Sequence, residues 1–250
     1  MRAASALLLT FALAIGAGGL RAGEASRDGT DTALQKEMER LYALRTVDTP
    51  AFVAQTRSLE AQPKPSSLAQ RQFLQFLAAN RATFEGRIPD AIALAQPLAE
   101  SAEDPKLRLS AGTFVINMRA ATREFETGLR ELDQLLKANP KAEGALRDEV
   151  IGLWNVAAIF YAELEQPTLS AWYAQRLLDS RHSPRMDCFG QHFAIRARQA
   201  AADPALSSSD FDRNHQRCHD AGEAGVLPGL IALSHARFLR DGDRSGEALE

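Results

Sequence analysis

Cys188 and Cys218 are the only cysteines of the 250-residue chain, and all five histidines (His182, His192, His215, His219 and His235) lie in the same C-terminal third. In an oxidising compartment, two cysteines on adjacent antiparallel helices most simply form a disulfide. That bond would close the intervening loop and contribute about 3 kcal/mol on the chain-entropy account. Two separate buried thiols are an alternative reading, and a metal site is a third. Cys188 and His192 are four residues apart, while His215, Cys218 and His219 share one face of the next predicted helix. Five side chains of the type and number that suit zinc or copper could therefore converge. Their spacing matches no established ligand pattern, and Arg217-Cys218-His219 lacks the first cysteine of a haem attachment motif. No cofactor is implied.

Other residues could bind rather than react. Asn155 is the one strongly polar residue in a long apolar run, so it either bonds backbone in the interior or faces a recognition surface. Asn117 and Arg119, one helical repeat earlier, are candidates to share that surface. Trp154, Trp172 and Tyr173 read either as core or as a ligand platform. Motifs of catalysis are missing: the sequence has no Gly-x-Ser-x-Gly elbow, His-Glu-x-x-His pair, phosphate-binding glycine loop or dinucleotide fingerprint. The chain reads as non-catalytic.

Whether sulfur chemistry is available depends on the compartment, and the first residues speak to it. Met1-Arg2 is a short basic start, Ala3 to Leu20 carries no charge, and Arg21-Ala-Gly-Glu-Ala-Ser26 supplies small residues for cleavage after Ala22 or Ala25. Residues 1–25 thus read as a secretory signal peptide, placing the mature chain in the periplasm or outside the cell. The alternative is an uncleaved anchor, the only membrane attachment the sequence suggests, since about 18 apolar residues approach a bilayer span. The remaining composition is that of a water-soluble globular chain, with 45% apolar and 24% charged residues. Disorder and a multi-pass membrane protein are excluded. With 29 basic against 32 acidic residues, net charge −3, there is no basic field to gather nucleic acid.

The elements that must position these residues are helices. Beyond a polar connector at 26–32, apolar residues recur at three and four residues, as in Leu107, Ala111, Phe114, Met118, Ala121 and Phe125. Val150 to Leu164 is apolar nearly all round, so that helix needs cover on more than one side. Asp104-Pro105, Asn139-Pro140 and Ser183-Pro184 punctuate successive amphipathic runs. Matching 91–98 to 128–135 and 170–177 gives spacings of 37 and 42 residues, the period of a two-helix repeat. The spacing predicts helix pairs over 33–62, 67–104, 106–139, 144–182 and 185–224, then a helix over 227–240. Thr49-Pro50 reads as a capped helix start, and Pro97 falls inside a predicted helix. The expected fold is all-α, with helical hairpins stacked into a right-handed α-solenoid spanning 33–250. Ser245 to Glu250 begins a further helix, so the last repeat reads as incomplete.

The segments Phe84-Glu-Gly-Arg-Ile-Pro-Asp-Ala-Ile-Ala-Leu-Ala-Gln-Pro-Leu98, Leu107-Arg-Leu-Ser-Ala-Gly-Thr-Phe-Val-Ile-Asn117 and Phe160-Tyr-Ala-Glu-Leu-Glu-Gln166 resemble tetratricopeptide-like repeats. More narrowly, the chain from Leu68 onward, through Cys188 and Cys218-His-Asp-Ala-Gly-Glu223, is similar to the exported N-terminal sensor region of membrane-bound GGDEF diguanylate cyclases. Gly86 sits where such repeats favour a glycine between their helices, whereas the next two turns have Thr122-Arg123 and Glu165-Gln166. In that family a transmembrane helix and a cytoplasmic cyclase domain follow the repeats. No Gly-Gly-Asp-Glu-Phe occurs in this sequence, so the resemblance implies an input module without cyclase chemistry, compatible with a shortened gene. The expected partner is a peptide, a protein or a small ligand held on the concave face.

Overall fold

The computed structural model describes residues 29–180, 183–223 and 226–242. The expected signal peptide, part of the expected connector, His182 and the helix expected to begin at 245–250 lie outside these residues. Within them the chain forms α1 (Gly29–Leu44), α2 (Thr49–Glu60), α3 (Leu68–Phe84), α4 (Ile88–Ser101), α5 (Pro105–Thr122), α6 (Phe125–Ala138), α7 (Arg147–Glu163), α8 (Pro167–Asp179), α9 (Pro184–Ala200), α10 (Ser208–Asp220) and α11 (Val226–Asp241), with one 3-10 turn at Gly144–Leu146. The described residues contain no strand, and the fold class is all-α.

Local chemistry sets the helix starts. Pro105 and Pro184 each open a helix, where the missing N–H costs nothing. Asp104 caps α5 by accepting from the Lys106 amide, and Ser183 caps α9 by accepting from the Met186 amide. Pro140 instead lies in the link between α6 and α7. The α2 cap is Asp48, whose carboxylate accepts from the Ala51 amide at 3.0 Å; Thr49 is already the first helical residue. Ser207 and Asp210 form a reciprocal capping box on α10. Helix α4 runs through Pro97 to Ser101.

The turns repeat one geometry. Gly86, Arg123, Glu165, Ala202 and Gly222 all take left-handed backbone angles. In each case the following amide donates to the carbonyl five residues earlier, from Arg87 to Ala82, Glu124 to Arg119, Gln166 to Tyr161, Asp203 to Arg198 and Glu223 to Cys218. This is a Schellman closure, which satisfies the last carbonyls of the preceding helix. Glycine is therefore dispensable in three of the five turns.

Packing divides the helices into two kinds. Helices α5 and α7 are buried along almost their whole length and on every side. By contrast α4, α6 and α8 each bury a single stripe: Ala91, Ala95 and Leu98; Gly128 and Leu132, with Leu135 partly buried; Ser170, Ala174 and Leu177. These are the positions matched at spacings of 37 and 42 residues, so the sequence repeat is also a repeat of buried register. Small residues there allow close approach: a Cβ on Gly128 would lie 2.7 Å from the Phe160 ring. Extensive contacts join only helices that are adjacent or next but one along the chain. At longer range, Tyr42 and Arg45 at the end of α1 lie within electrostatic reach of Glu149 on α7 and Arg185 on α9.

Candidate functional site

The first helices of successive pairs carry polar side chains in a common register. Counted from the left-handed residue that ends each of them, Asn80 and Asn117 occupy one equivalent position, and Asn155 and His192 another one turn earlier. All four are buried. Helices α5, α7 and α9 pack in series, and Asn117, Asn155 and His192 are among the polar residues they bury.

The members differ in how their polarity is satisfied. The Asn80 amide donates to the Phe76 carbonyl at 2.8 Å, and the Thr113 hydroxyl to the Leu109 carbonyl at 2.8 Å. Asn155 is 2% exposed, and its Oδ1 has no hydrogen-bond partner. An orphaned acceptor of this kind costs about 1–3 kcal/mol. His192 is wholly enclosed: burial first, and the neighbouring Arg196 guanidinium second, pull its pKa down to about 3. It is a neutral imidazole at physiological pH, able to donate from one nitrogen and accept at the other. Burial likewise lowers the Arg196 pKa, against Glu163 at 3.9 Å.

Arg119 does not belong to this buried set. It lies two residues from Asn117, about 200° around the helix, and turns toward the second helices. There it donates to Glu131 at 2.7 Å, Glu124 at 2.6 Å and Gln96 at 3.2 Å. Its role is to tie α4, α5 and α6 together, which corrects the expectation that it shares a face with Asn117 and Asn155.

Cys188 and Cys218 form the expected disulfide, with Cα atoms 5.1 Å apart. Both sulfurs are thereby removed as metal ligands. His192 is buried on α9, whereas His215 and His219 are exposed on α10. No group of three or more His, Cys, Asp or Glu side chains among the described residues could hold a metal ion. The disulfide fits an oxidising compartment. An ion pair between Arg185 and Glu223 at 2.7 Å joins α9 to the turn that follows α10.

Sequence reasoning missed Glu149. It stands in the first turn of α7, ordinarily a solvated place for an acid, yet it is 2% exposed, its Oε2 has no partner, and burial raises its pKa. Tyr42, on whose ring the Arg45 guanidinium stacks at 3.6 Å, lies within electrostatic reach of it. Nothing local signals this, because Tyr42 and Glu149 belong to different helix pairs. Of the aromatic candidates, Trp154 is 6% exposed and Trp172 is 50% exposed, so the two split between core and surface. No described helix is long and apolar enough to cross a membrane. Compared with known protein families, with curated proteins and with solved structures, the chain finds no match.

Proposed function

We propose that the protein is an exported, non-catalytic, tetratricopeptide-like repeat protein that recognises a peptide, a protein or a small ligand on the concave face of a right-handed α-solenoid, acting as a sensor or adaptor. The observation that carries this reading is the repeated register. Successive helix pairs bury equivalent stripes, close through the same turn and contact only their neighbours, the packing pattern of stacked hairpins. Asn117, Asn155 and His192 on the first helices are enclosed, so in this reading a ligand meets their amide and imidazole groups only as α5, α7 and α9 part. The orphaned Asn155 Oδ1 is the acceptor that such a ligand would satisfy. The resemblance read in the sequence to cyclase sensor regions implies an input role, with output supplied by another domain or protein.

Peptide selection on the purified protein tests the proposal. Display of random peptides should enrich binders whose affinity falls about tenfold in an Asn117→Ala, Asn155→Ala double variant, the loss of one or two well-placed hydrogen bonds. Enrichment of no binder, or binders indifferent to both substitutions, would sink it.

A further inference from the structure

The repeat of the hairpins brings two phenols together. In three successive hairpins the residue four before the left-handed turn residue meets the residue eight beyond it. Arg119 meets Glu131 across α5 and α6 at 2.7 Å, and Arg198 approaches Asp210 across α9 and α10 at 3.6 Å. The hairpin between them, α7 with α8, has Tyr161 and Tyr173 at these two positions. Their rings lie 7° from parallel with centroids 5.7 Å apart. Where the neighbouring hairpins tie their arms with opposite charges, this one sets phenol on phenol.

Stacking alone would tie the arms, and phenylalanine would serve that purpose equally well. The two hydroxyls have no such task, since neither makes a hydrogen bond among the described residues. Burial is the main reason that both pKa values are raised, so each side chain is a neutral phenol that must shed its proton when it loses an electron. Both rings are nevertheless partly exposed. Each long edge of a tyrosine ring carries one carbon ortho to the hydroxyl, and a half-turn about χ2 exchanges the two edges. Nearly parallel rings at this separation therefore hold ortho-bearing edges close to van der Waals contact, about 4 Å. Tyr42, the third and last tyrosine of the chain, has no second phenol beside it: its ring neighbours are Phe73 and Phe76, and the Arg45 guanidinium lies on its face.

We propose that Tyr161 and Tyr173 are an oxidative cross-linking site, coupling to dityrosine under a one-electron oxidant of the haem-peroxidase class supplied with hydrogen peroxide. Each phenol gives one electron to the oxidant and one proton to solvent, which leaves a phenoxyl radical. The two radicals join ortho carbon to ortho carbon, and the hydrogens on those carbons transfer to the oxygens, restoring both phenols. The protein loses two hydrogens in all, and one peroxide is reduced to two waters. The new carbon–carbon bond staples α7 to α8. An exported chain would meet such an oxidant, but the reactivity of the pair follows from its geometry and does not depend on the compartment or on any ligand.

Treatment of the intact, dilute protein with a haem peroxidase and hydrogen peroxide is the test. The expected product is a monomer lighter by two hydrogens and carrying dityrosine fluorescence. Proteolysis after Glu163 and Glu165, which otherwise separates the two tyrosines, should release their peptides still joined. Tyr161→Phe and Tyr173→Phe should each abolish the cross-link with the melting temperature held near the parent value, and Tyr42→Phe should leave it unchanged. Absence of the product, oxygen addition at the exposed Trp172 in place of hydrogen loss, cross-links only between molecules, or a yield indifferent to Tyr161→Phe would overturn the proposal.

Discussion

Glu149 and His192 are buried titratable residues that shift stability in opposite directions with pH. Burial is the largest influence on both. For Glu149 it raises the folded pKa, so the stability linked to its protonation is fully present below about pH 4.3 and is lost as pH climbs through the raised value. For His192 the folded pKa falls to about 3; its contribution is fully present above about pH 6.5 and is lost as pH falls toward the folded value. Urea melts from pH 4 to pH 8 separate the two. Glu149→Gln should raise the midpoint at pH 7 and lose that gain toward pH 4. His192→Gln should flatten the decline on acidification. A parent profile unchanged by either substitution would mean that neither side chain is enclosed as described.

At the level of the element, the left-handed turns and the close helix contacts make separable predictions. Ala202 adopts a φ of 50° that glycine accepts without strain. Ala202→Gly should therefore stabilise by about 0.5–1 kcal/mol, seen as a rise of a few degrees in melting temperature. Gly128→Ala should do the reverse. Its new Cβ would sit 2.7 and 2.9 Å from two atoms of the enclosed Phe160 ring, and overpacking of that kind costs about 1–3 kcal/mol. These elements were largely legible in the sequence, because apolar stripes and proline boundaries are local: Leu107 to Met118 marked α5, although the expected stripe ran on through the exposed Ala121 to Phe125, which opens α6 beyond the Arg123 turn, and Pro105 and Pro184 marked two helix starts. The matched segments at 91, 128 and 170 even carried the buried register. What was not legible required knowing which way a helix faces or what crosses to it. Arg119 sits two residues from Asn117 and so on the other side of α5, where three partners from neighbouring segments hold it. Glu149 is buried within electrostatic reach of Tyr42, a separation in sequence that no periodicity reports.

The molecule as a whole has an uneven core, and this decides how it comes apart. One large apolar cluster runs from Met38 to Ile231 and encloses α5 and α7, while a smaller cluster of Ile195, Leu206 and Phe211, with Phe238 against it, sits among α9, α10 and α11. Helix α10 buries only Phe211, Asn214 and Cys218. Its attachment therefore leans on the Cys188–Cys218 bond and the Arg185–Glu223 ion pair, both of which link it or its following turn to α9. In an array where each helix rests mainly on its neighbours, loosening one end need not release the middle. Replacing both cysteines with serine should lower global stability by about 3 kcal/mol. Amide exchange should then quicken in α10 and α11 well before it does in α5 and α7. Equal loss of protection in all four helices would show instead that the disulfide stabilises a single cooperative unit.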